Sequence, residues 1–337
     1  MEDYRKIKEL LTGESKRILI VTHRNPDGDA IGSTLSLAIL FEKMKHEVMT
    51  LVPNRFPAFL SWMKNAEKIV IYKDQVEKAN DMLQHAEIVF ALDFNDLSRI
   101  REFDEFVSKN KAYKVLIDHH PDPAPFADLI LSDTRVSSTA ELVYHFIRDL
   151  GLEDGIDQDI ANCLYAGIMT DTGCFSFNSS MPSTFRIVGE LLRFGTQKDM
   201  IYNLVYNNFT YDRMRLMGYC LHEKMKYLSE YRTAYIALTQ EEMRKFNFRV
   251  GDSEGFVNLP LSVKGVRFAV LFTEKEDMIK ISLRSKGNFP ANEIAEKYFH
   301  GGGHFNAAGG ESYESLEETI DKFVKLLPDY KDELLSE

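Results

Sequence analysis

Histidine and aspartate residues recur in this chain in spacings that suit the binding of divalent cations. The first group is in the segment VTHRNPDGDAIGS, which contains His23, Asp27 and Asp29. Gly28 lets the backbone turn tightly between the two aspartates, so their carboxylates can point toward different ions. Imidazole and carboxylate together suit a borderline cation such as manganese. An ordinary Asp-Gly turn is the alternative for this segment taken alone.

A second group follows two apolar runs. Asp93 ends EIVFALD, and Asp118, His119 and His120 end KVLIDHH. Asp93 suits a ligand that bridges two metal ions, or a cap for the segment NDLSRI that follows it. Consecutive histidines cannot both be buried comfortably in an apolar core, so we expect one to bind metal and the other to face substrate. The Asp118 carboxylate could then hold His119 in the required tautomer.

Asp171 ends an amphipathic helical pattern in GIMTDTGCF, and Gly173 marks a sharp exit from that helix. An acidic side chain at a helix C-terminus is unfavourable against the helix dipole. A cation bound beside Asp171 would compensate for this.

The elements that must position these residues alternate in the first half of the chain. Apolar runs at 17–23, 47–52, 68–73, 87–93 and 114–120 predict buried parallel strands, and helical patterns lie between them. This alternation predicts an α/β fold with a parallel sheet and helices on both faces. Ligands of open α/β sheets bind at the carboxyl ends of the strands, where His23, Asp93 and His119 are expected.

The rest of the chain changes character twice. From about Ser137 the pattern is helical, and beyond about 228 strands at TAYIALT, VRFAVLFTE and MIKISLRS are followed by helices at ANEIAEKYF and SLEETIDKFVKLL. We predict a catalytic domain over 1–190, a helical connection over 191–227 and a smaller α+β domain over 228–337.

Two segments of the second domain could bind an anion. Strand ISLRSKG ends in Arg284, Ser285 and Lys286, and an arginine fork can grip a terminal phosphate. FHGGGHFNAAGG holds Gly301, Gly302, Gly303 and His304 ahead of what looks like a small-residue helical segment. Glycine permits backbone N–H groups to approach an anion closely. An exposed basic strand end and a purely structural glycine turn are the alternatives.

Composition restricts the class of protein. The 337 residues carry a net charge of −11, which would repel a long nucleic acid, although bound metal ions would still allow a small anionic substrate. No apolar run approaches the length of a membrane span, and the N-terminal segment is charged, so we expect a cytoplasmic protein without a membrane partner. Three cysteines without a CxxC pair indicate neither a disulfide framework nor a thiolate zinc site.

The segments VTHRNPDGDAIGS, LDFND, IDHH and GIMTDTG, in this order, resemble the four motifs of the DHH phosphoesterase family. The resemblance implies two divalent ions, typically manganese, with magnesium or cobalt as alternatives. Matched residue by residue, it assigns His23, Asp27 and Asp93 to one ion and Asp29, Asp93, His119 and Asp171 to the other. It implies in-line attack of activated water on phosphorus, with His120 and Asp118 as catalytic residues. His120 would either contact the phosphate or protonate the leaving oxygen.

The second domain, with LRS followed by NEIAEKYFHGGGHFNAAGG, resembles the C-terminal domain that accompanies DHH domains in exonucleases and short-oligonucleotide phosphoesterases. The short two-domain architecture is similar to the group of nanoRNases and pAp phosphatases. This implies substrates of two- to five-nucleotide RNA and adenosine 3′,5′-bisphosphate (pAp), and no long duplex. Substrate would lie in the cleft between the domains, with Arg284, Ser285, Gly301, Gly302, Gly303 and His304 as its contacts.

Other functions stay open at this point. Hydrolysis of cyclic dinucleotides such as cyclic di-AMP would use the same metal ligands, and the motifs barely separate the two substrates. A nucleotide sensor without activity is the non-enzyme alternative, although such proteins usually lose a metal ligand. Manganese pyrophosphatases lack a GGGH segment of this kind, and a processive exonuclease would need a longer chain. The sequence does not determine the oligomeric state, and a homodimer is one alternative.

Overall fold

The computed structural model describes residues 2–336, which form two compact units that divide between Asn208 and Phe209. The first unit is a six-stranded sheet whose paired strands all run parallel, in the order β3-β2-β1-β4-β5-β6. Its strands are β1 Arg17–Thr22, β2 Glu47–Val52, β3 Val70–Ile71, β4 Ile88–Leu92, β5 Tyr113–Asp118 and β6 Leu129–Ser132.

Helices cover both faces of this sheet. They are α1 Glu2–Thr12, α2 Gly28–Lys43, α3 Val76–His85, α4 Asp104–Lys109, α5 Thr139–Asp149, α6 Gln158–Asp171, α7 Pro182–Arg193 and α8 Lys198–Tyr206. Alternate strand residues face opposite ways. Ile18 and Ile20 therefore pack into a core with α2, α5 and α6, whereas Leu19 and Val21 pack into a second core with α3 and α4.

The strand order reverses between β1 and β4, which are neighbours in the sheet although β2 and β3 lie between them in sequence. At such a reversal the connections leave toward opposite faces, and a crevice opens at the carboxyl ends of the strands. The loops after β1, β4 and β5 carry His23, Asp93 and His119 to this place.

Helices α2 and α6 approach each other closely because glycines lie at their contact. A Cβ on Gly28 would come within 2.3 Å of Thr170 Oγ1, and one on Gly32 within 2.5 Å of the Cys163 carbonyl oxygen. A Cβ on Gly167 would lie 2.9 Å from Asp29 Oδ1 of α2 and 2.7 Å from Ala140 of α5. We expected Gly28 to serve a tight turn; the structure shows that it is the first residue of α2 and serves this close packing.

The second unit is a mixed six-stranded sheet in the order β11-β12-β10-β9-β8-β7. Its strands are β7 Lys226–Leu228, β8 Thr233–Leu238, β9 Phe268–Glu274, β10 Ile279–Ser285, β11 Gly302–His304 and β12 Ala307–Ser312. Its helices are α9 Tyr211–Tyr219, α10 Gln240–Lys245, α11 Ala291–Tyr298, α12 Leu316–Leu326 and α13 Lys331–Leu335. Only β8 and β9 pair in parallel among its strands.

These elements confirm the predicted fold class, with a parallel α/β sheet followed by an α+β unit. Strand β6 was not predicted. The helical interpretation of residues 305–310 was wrong, since β11 and β12 form a hairpin there and β12 pairs with β10. Gly309 and Gly310 disfavour a helix, and a Cβ on Gly310 would lie 2.7 Å from the Phe299 carbonyl oxygen.

The predicted domain limits stay a prediction. The contacts divide the predicted helical connection over 191–227, with α8 in the first unit and α9 in the second. All three cysteines are free thiols, with Cys163 and Cys220 buried and Cys174 partly buried. No helix among residues 2–336 is long and apolar enough to cross a membrane.

Candidate metal centre

His23, Asp27 and Asp93 form the first group of ligand atoms at the carboxyl edge of the sheet, and the three atoms lie within 4.8 Å of one another. His23 Nδ1–H donates to the Arg24 carbonyl at 2.9 Å, which leaves Nε2 facing Asp93 Oδ2 at 3.3 Å. A backbone partner of this kind fixes the tautomer in which Nε2 can bind a metal. Burial lowers the pKa of His23 and keeps the ring neutral, as a ligand must be.

Asp29, His119 and Asp171 form the second group, also within 4.8 Å of one another. His119 Nε2 lies 3.5 Å from Asp171 Oδ2, 4.0 Å from Asp29 Oδ2 and 3.7 Å from Asp93 Oδ1. Asp171 is the last residue of α6 and Asp29 is in the first turn of α2, so the glycine contact between these helices brings the two carboxylates together.

Asp93 lies between the two groups, with Oδ2 toward His23 and Oδ1 toward His119. Its φ of 65° is in the left-handed region, which few residues other than glycine adopt and which aspartate tolerates better than most. Its N–H still donates to the Ile117 carbonyl of β5 at 3.1 Å. The backbone therefore stays attached to the sheet while it turns sharply to present the carboxylate to both groups.

Asp118 pairs with His120, with 2.7 Å between Oδ1 and the ring Nδ1, whereas we expected Asp118 to orient His119. Asp118 is the last residue of β5 and is fully buried, while the His120 side chain keeps 15% of its surface exposed. His120 Nδ1 also lies 3.9 Å from Asp93 Oδ1, so the ring stands at the side of the second group. The carboxylate of Asp118 orients the histidine that we expect to face substrate.

Concentrated negative charge dominates the electrostatics of this edge. Burial and the neighbouring Asp27 raise the pKa of Asp29 to about 7, although N–H groups of Thr139 and Ala140 lower it. Burial and the carboxylates of Asp29 and Asp27 raise the pKa of Asp93 well above its ordinary value. In the part of the chain that the structure describes, Asp27, Asp29 and Asp93 form no ion pair with lysine or arginine.

Buried carboxylates are stable only when they are paired, protonated or bound to a metal. The donor set here is two imidazoles and four carboxylates, arranged in two groups about Asp93, and it fits two divalent ions of the borderline class. These clustered groups could bind metal ions.

The predicted substrate residues lie at one end of the second sheet. Arg284 is on β10 opposite Ala307, and its guanidinium donates to the carbonyls of Leu283 and Ala308. Ser285 Oγ donates to the Phe289 carbonyl at 2.6 Å and accepts from Asn306 Nδ2 at 2.8 Å. The Ser285 hydroxyl therefore supports its own loop, and a contact with substrate stays a prediction.

The GGGH segment contains glycine for a packing reason. A Cβ on Gly301 would lie 1.9 Å from the Gly309 carbonyl oxygen, and one on Gly303, whose φ is 140°, would lie 2.7 Å from that of Ala307. Only Gly302 has room, with its nearest neighbour at 3.6 Å. The close packing of the β11–β12 hairpin thus requires two of the glycines, and binding of an anion there stays a prediction.

Sequence reasoning missed the N-terminus of α5. The N–H groups of Thr139 and Ala140 donate to Asp29 at 2.6 and 2.9 Å, and Thr139 Oγ1 donates to Asp93 at 2.9 Å. The run SSTAE contains the Ser-x-x-Glu pattern of a helix start, which locates Ser138 as the N-cap. That pattern says nothing about a carboxylate 110 residues earlier in the chain.

Comparison with known proteins agrees with this arrangement. Residues 17–168 match the N-terminal domain of the DHH family, and residues 231–332 match the DHHA1 domain. The bifunctional oligoribonuclease and PAP phosphatase NrnA of Bacillus subtilis is 30% identical over 299 residues, which cover 88% of this chain and 89% of that protein. The chain belongs to the DHH family. Its first unit holds the family's N-terminal domain and its second unit the DHHA1 domain.

Two solved structures of similar fold extend the comparison of this DHH protein. An exopolyphosphatase-related protein from Bacteroides fragilis is 42% identical, with a TM-score of 0.94, over 100% of this chain and 98% of that one. RecJ from Thermus thermophilus, solved in complex with Mn²⁺, is 13% identical, with a TM-score of 0.56, over 98% of this chain and 54% of RecJ. The similarity to RecJ concerns the fold alone.

Proposed function

We propose that this DHH protein is a phosphoesterase with two divalent metal ions that hydrolyses RNA of two to five nucleotides to mononucleotides and dephosphorylates pAp. The observation that carries the proposal is the pair of ligand groups that share Asp93 at the carboxyl edge of the first sheet. The choice of substrate is supported by the activities that the Bacillus subtilis relative is named for and by the length of chain over which the two proteins are similar. Manganese is the proposed ion, supported by the imidazole and carboxylate donors.

Each group has a proposed task. His23, Asp27 and Asp93 would hold one ion, and Asp29, Asp93, His119 and Asp171 would hold the other. Two bound ions would supply water of lowered pKa and stabilise negative charge on the phosphoryl oxygens. The protein's own contribution is to keep His23 Nε2 deprotonated and the carboxylates aimed at the two groups.

His120 is the proposed group that acts directly on the phosphate. Its Nδ1–H is held by Asp118, so Nε2 is the nitrogen that would hydrogen-bond a phosphoryl oxygen or deliver a proton to the leaving oxygen. Both actions need the same ring orientation, which the buried Asp118 carboxylate provides. In the second unit, Arg284, His304 and the GGGH backbone are the proposed contacts to the rest of the substrate.

Product analysis on a substrate panel tests the proposal. Metal-free protein would be supplied with Mn²⁺ and incubated with 5′-labelled RNA of 2 to 24 nucleotides, pAp, pyrophosphate, polyphosphate and cyclic di-AMP. Fastest turnover of the two- to five-mers, together with release of phosphate from pAp, is the expected result. If cyclic di-AMP or polyphosphate is hydrolysed fastest, the proposed metal centre still stands but the proposed substrate is wrong.

The Asp93→Ala variant separates an enzyme from a nucleotide-binding sensor. It removes the carboxylate that faces both groups, so we expect loss of turnover on every substrate. Asp81→Ala is the matched control, because Asp81 is exposed on α3 and, among residues 2–336, forms an ion pair only with His85 one turn away. If the wild type turns over no faster than Asp93→Ala, the proposal that the protein is a hydrolase is wrong.

A further inference from the structure

Thr139 is a fully buried residue that contacts two of the three carboxylates next to His119, those of Asp29 and Asp93. It is the first residue of α5, and its backbone N–H donates to Asp29 Oδ2 at 2.6 Å. Its side-chain hydroxyl donates to Asp93 Oδ1 at 2.9 Å. One residue thus connects the carboxylate of Asp29, in the first turn of α2, with that of Asp93, in the loop after β4.

The hydroxyl of Thr139 has no role in capping its own helix. Ser138 is the N-cap of α5, and its Oγ accepts from the N–H of Glu141 at 3.1 Å. The N–H groups of Thr139 and Ala140, which a helix leaves without internal partners, are taken by Asp29. The Thr139 side chain is therefore available for Asp93, a residue 46 positions away in the chain.

This hydrogen bond selects one of the two oxygens of Asp93. Thr139 binds Oδ1, the oxygen 3.7 Å from His119, while Oδ2 faces His23 at 3.3 Å. The side chain of a threonine in a helix has few rotamers, so the position of the hydroxyl is nearly fixed. It resists rotation of the carboxylate about its Cβ–Cγ bond, and only a fixed rotation keeps one oxygen toward each ligand group.

We infer that Thr139 is a positioning residue that holds Asp93 in the orientation needed to bridge two metal ions. The inference rests on the proposed function, because it takes the two ligand groups to be metal sites. The inference predicts that loss of the Thr139 hydroxyl affects the two metal sites unequally. Loss of the hydroxyl frees Oδ1, so the site of Asp29, His119 and Asp171 is weakened more than the site of His23 and Asp27.

Measurement of metal binding to the metal-free protein tests the positioning role of Thr139 independently of activity. Mn²⁺ would be titrated by isothermal calorimetry into the wild type and into Thr139→Val and Thr139→Ser, and the electron paramagnetic resonance spectrum recorded with two equivalents bound. Thr139→Val keeps the branched shape and removes the donor; Thr139→Ser keeps the donor. Thr34→Val is the matched control, since Thr34 is buried in α2 and its hydroxyl has no hydrogen-bond partner in the described chain.

The wild type, Thr139→Ser and Thr34→Val should each bind two Mn²⁺ and give the spectrum of an exchange-coupled pair. In Thr139→Val we expect the affinity for the second ion to fall about 10- to 100-fold, the usual effect of removing a group that orients a ligand, with loss of the coupled signal. Two ions bound to Thr139→Val with wild-type affinity and coupling would overturn the inference, even if the variant melts at a lower temperature.

Two further outcomes are separable. If the wild type itself binds no Mn²⁺, the proposed function fails before Thr139 is tested. If Thr139→Val does not fold, Thr139→Ala takes its place, because alanine removes the donor without placing a methyl group against Asp93. Wild-type affinity for both ions in a folded Thr139→Ala would equally overturn the inference.

Discussion

At the scale of single residues, the centre depends on the group behind each ligand. His23 is held by the Arg24 carbonyl, Asp93 by Thr139 and His120 by Asp118. A ring or carboxylate with one atom fixed in this way presents its other atom in a single direction. The chemistry proposed here needs such fixed directions, since a ligand that rotates freely binds an ion weakly.

Replacing Asp118 by asparagine tests the orientation of His120. The amide cannot accept from Nδ1–H with the strength of a carboxylate, and it can present an N–H that favours the wrong tautomer. We expect kcat on a dinucleotide to fall by about 10²- to 10⁴-fold, the range for loss of one general acid or base, with two Mn²⁺ still bound. Steady-state kinetics beside calorimetry would measure this.

Asp81→Asn serves as the control for Asp118→Asn, because it makes the same chemical change at an exposed site on α3. It should leave kcat unchanged. If Asp118→Asn retains wild-type kcat, His120 does not depend on Asp118, and its catalytic role loses its structural support.

At the scale of elements, the close contact of α2 and α6 decides whether the ligands meet. Asp29 is in the first turn of α2 and Asp171 ends α6, and glycines at 28, 32 and 167 remove the side chains that would separate the two helices. The distance between the helices thereby sets the distance between two carboxylates of the second group.

Gly32→Ala should therefore disturb stability and metal binding together. Its Cβ would lie 2.5 Å from the Cys163 carbonyl oxygen, a backbone atom that cannot move without shifting α6. We expect a loss of about 1–3 kcal/mol in the free energy of unfolding, as for other overpacked sites, and weaker binding of Mn²⁺. Chemical denaturation and calorimetry would measure the two effects.

Gly189→Ala is the matched control for this change. Gly189 is inside α7, and a Cβ there would have no neighbour within 4 Å. Alanine should stabilise the protein there by about 0.4–1 kcal/mol, because it lowers the entropy of the unfolded chain. A Gly32→Ala protein as stable as the wild type would show that α2 and α6 can separate without cost.

At the scale of the whole molecule, the charge at the sheet edge connects metal binding, protonation and stability. The metal-free protein folds with carboxylates whose pKa values are raised, that of Asp29 to about 7. A raised pKa means that the folded chain binds more protons than the unfolded chain between pH 4 and 7. The stability that Asp29 contributes is complete below about pH 4 and is lost as the pH rises through 7.

Bound Mn²⁺ should replace those protons. We expect the rise in melting temperature caused by Mn²⁺ to increase between pH 5.5 and 7.5, because at low pH the ion competes with protons on Asp29 and Asp93. Thermal melts in EDTA and in Mn²⁺ across this range would measure it. Calorimetry in two buffers of different ionisation enthalpy should detect proton release on binding of Mn²⁺ at pH 6.5.

A pH-independent effect of Mn²⁺ over this range would contradict the prediction. It would show that the carboxylates are already ionised in the metal-free protein. Mg²⁺ is a useful comparison, since it should show the same dependence on pH with a smaller stabilisation at equal concentration if the donor set favours a borderline ion.

The sequence by itself determined the fold class and which residues are candidates for the centre. Continuous apolar runs that end in Asp or His and alternate with helical patterns are typical of buried parallel strands with polar ends, and such ends gather at one sheet edge. That reasoning was enough to select His23, Asp93 and His119 from separate strands, and Asp171 was selected at the end of a helical pattern. The local sequence pattern did not predict β12, because its glycine and alanine residues do not show the alternation of apolar and polar residues that marks a strand.

Only the tertiary structure decided how the candidates are held. The pairing of Asp118 with His120, the two oxygens of Asp93 turned toward different groups, and the donation from Thr139 all join residues through directions of side chains in space. A sequence carries periodicity along one chain, whereas a hydrogen bond depends on the distance and angle between two atoms. For that reason the candidate ligands could be selected from the sequence and their orientation could not.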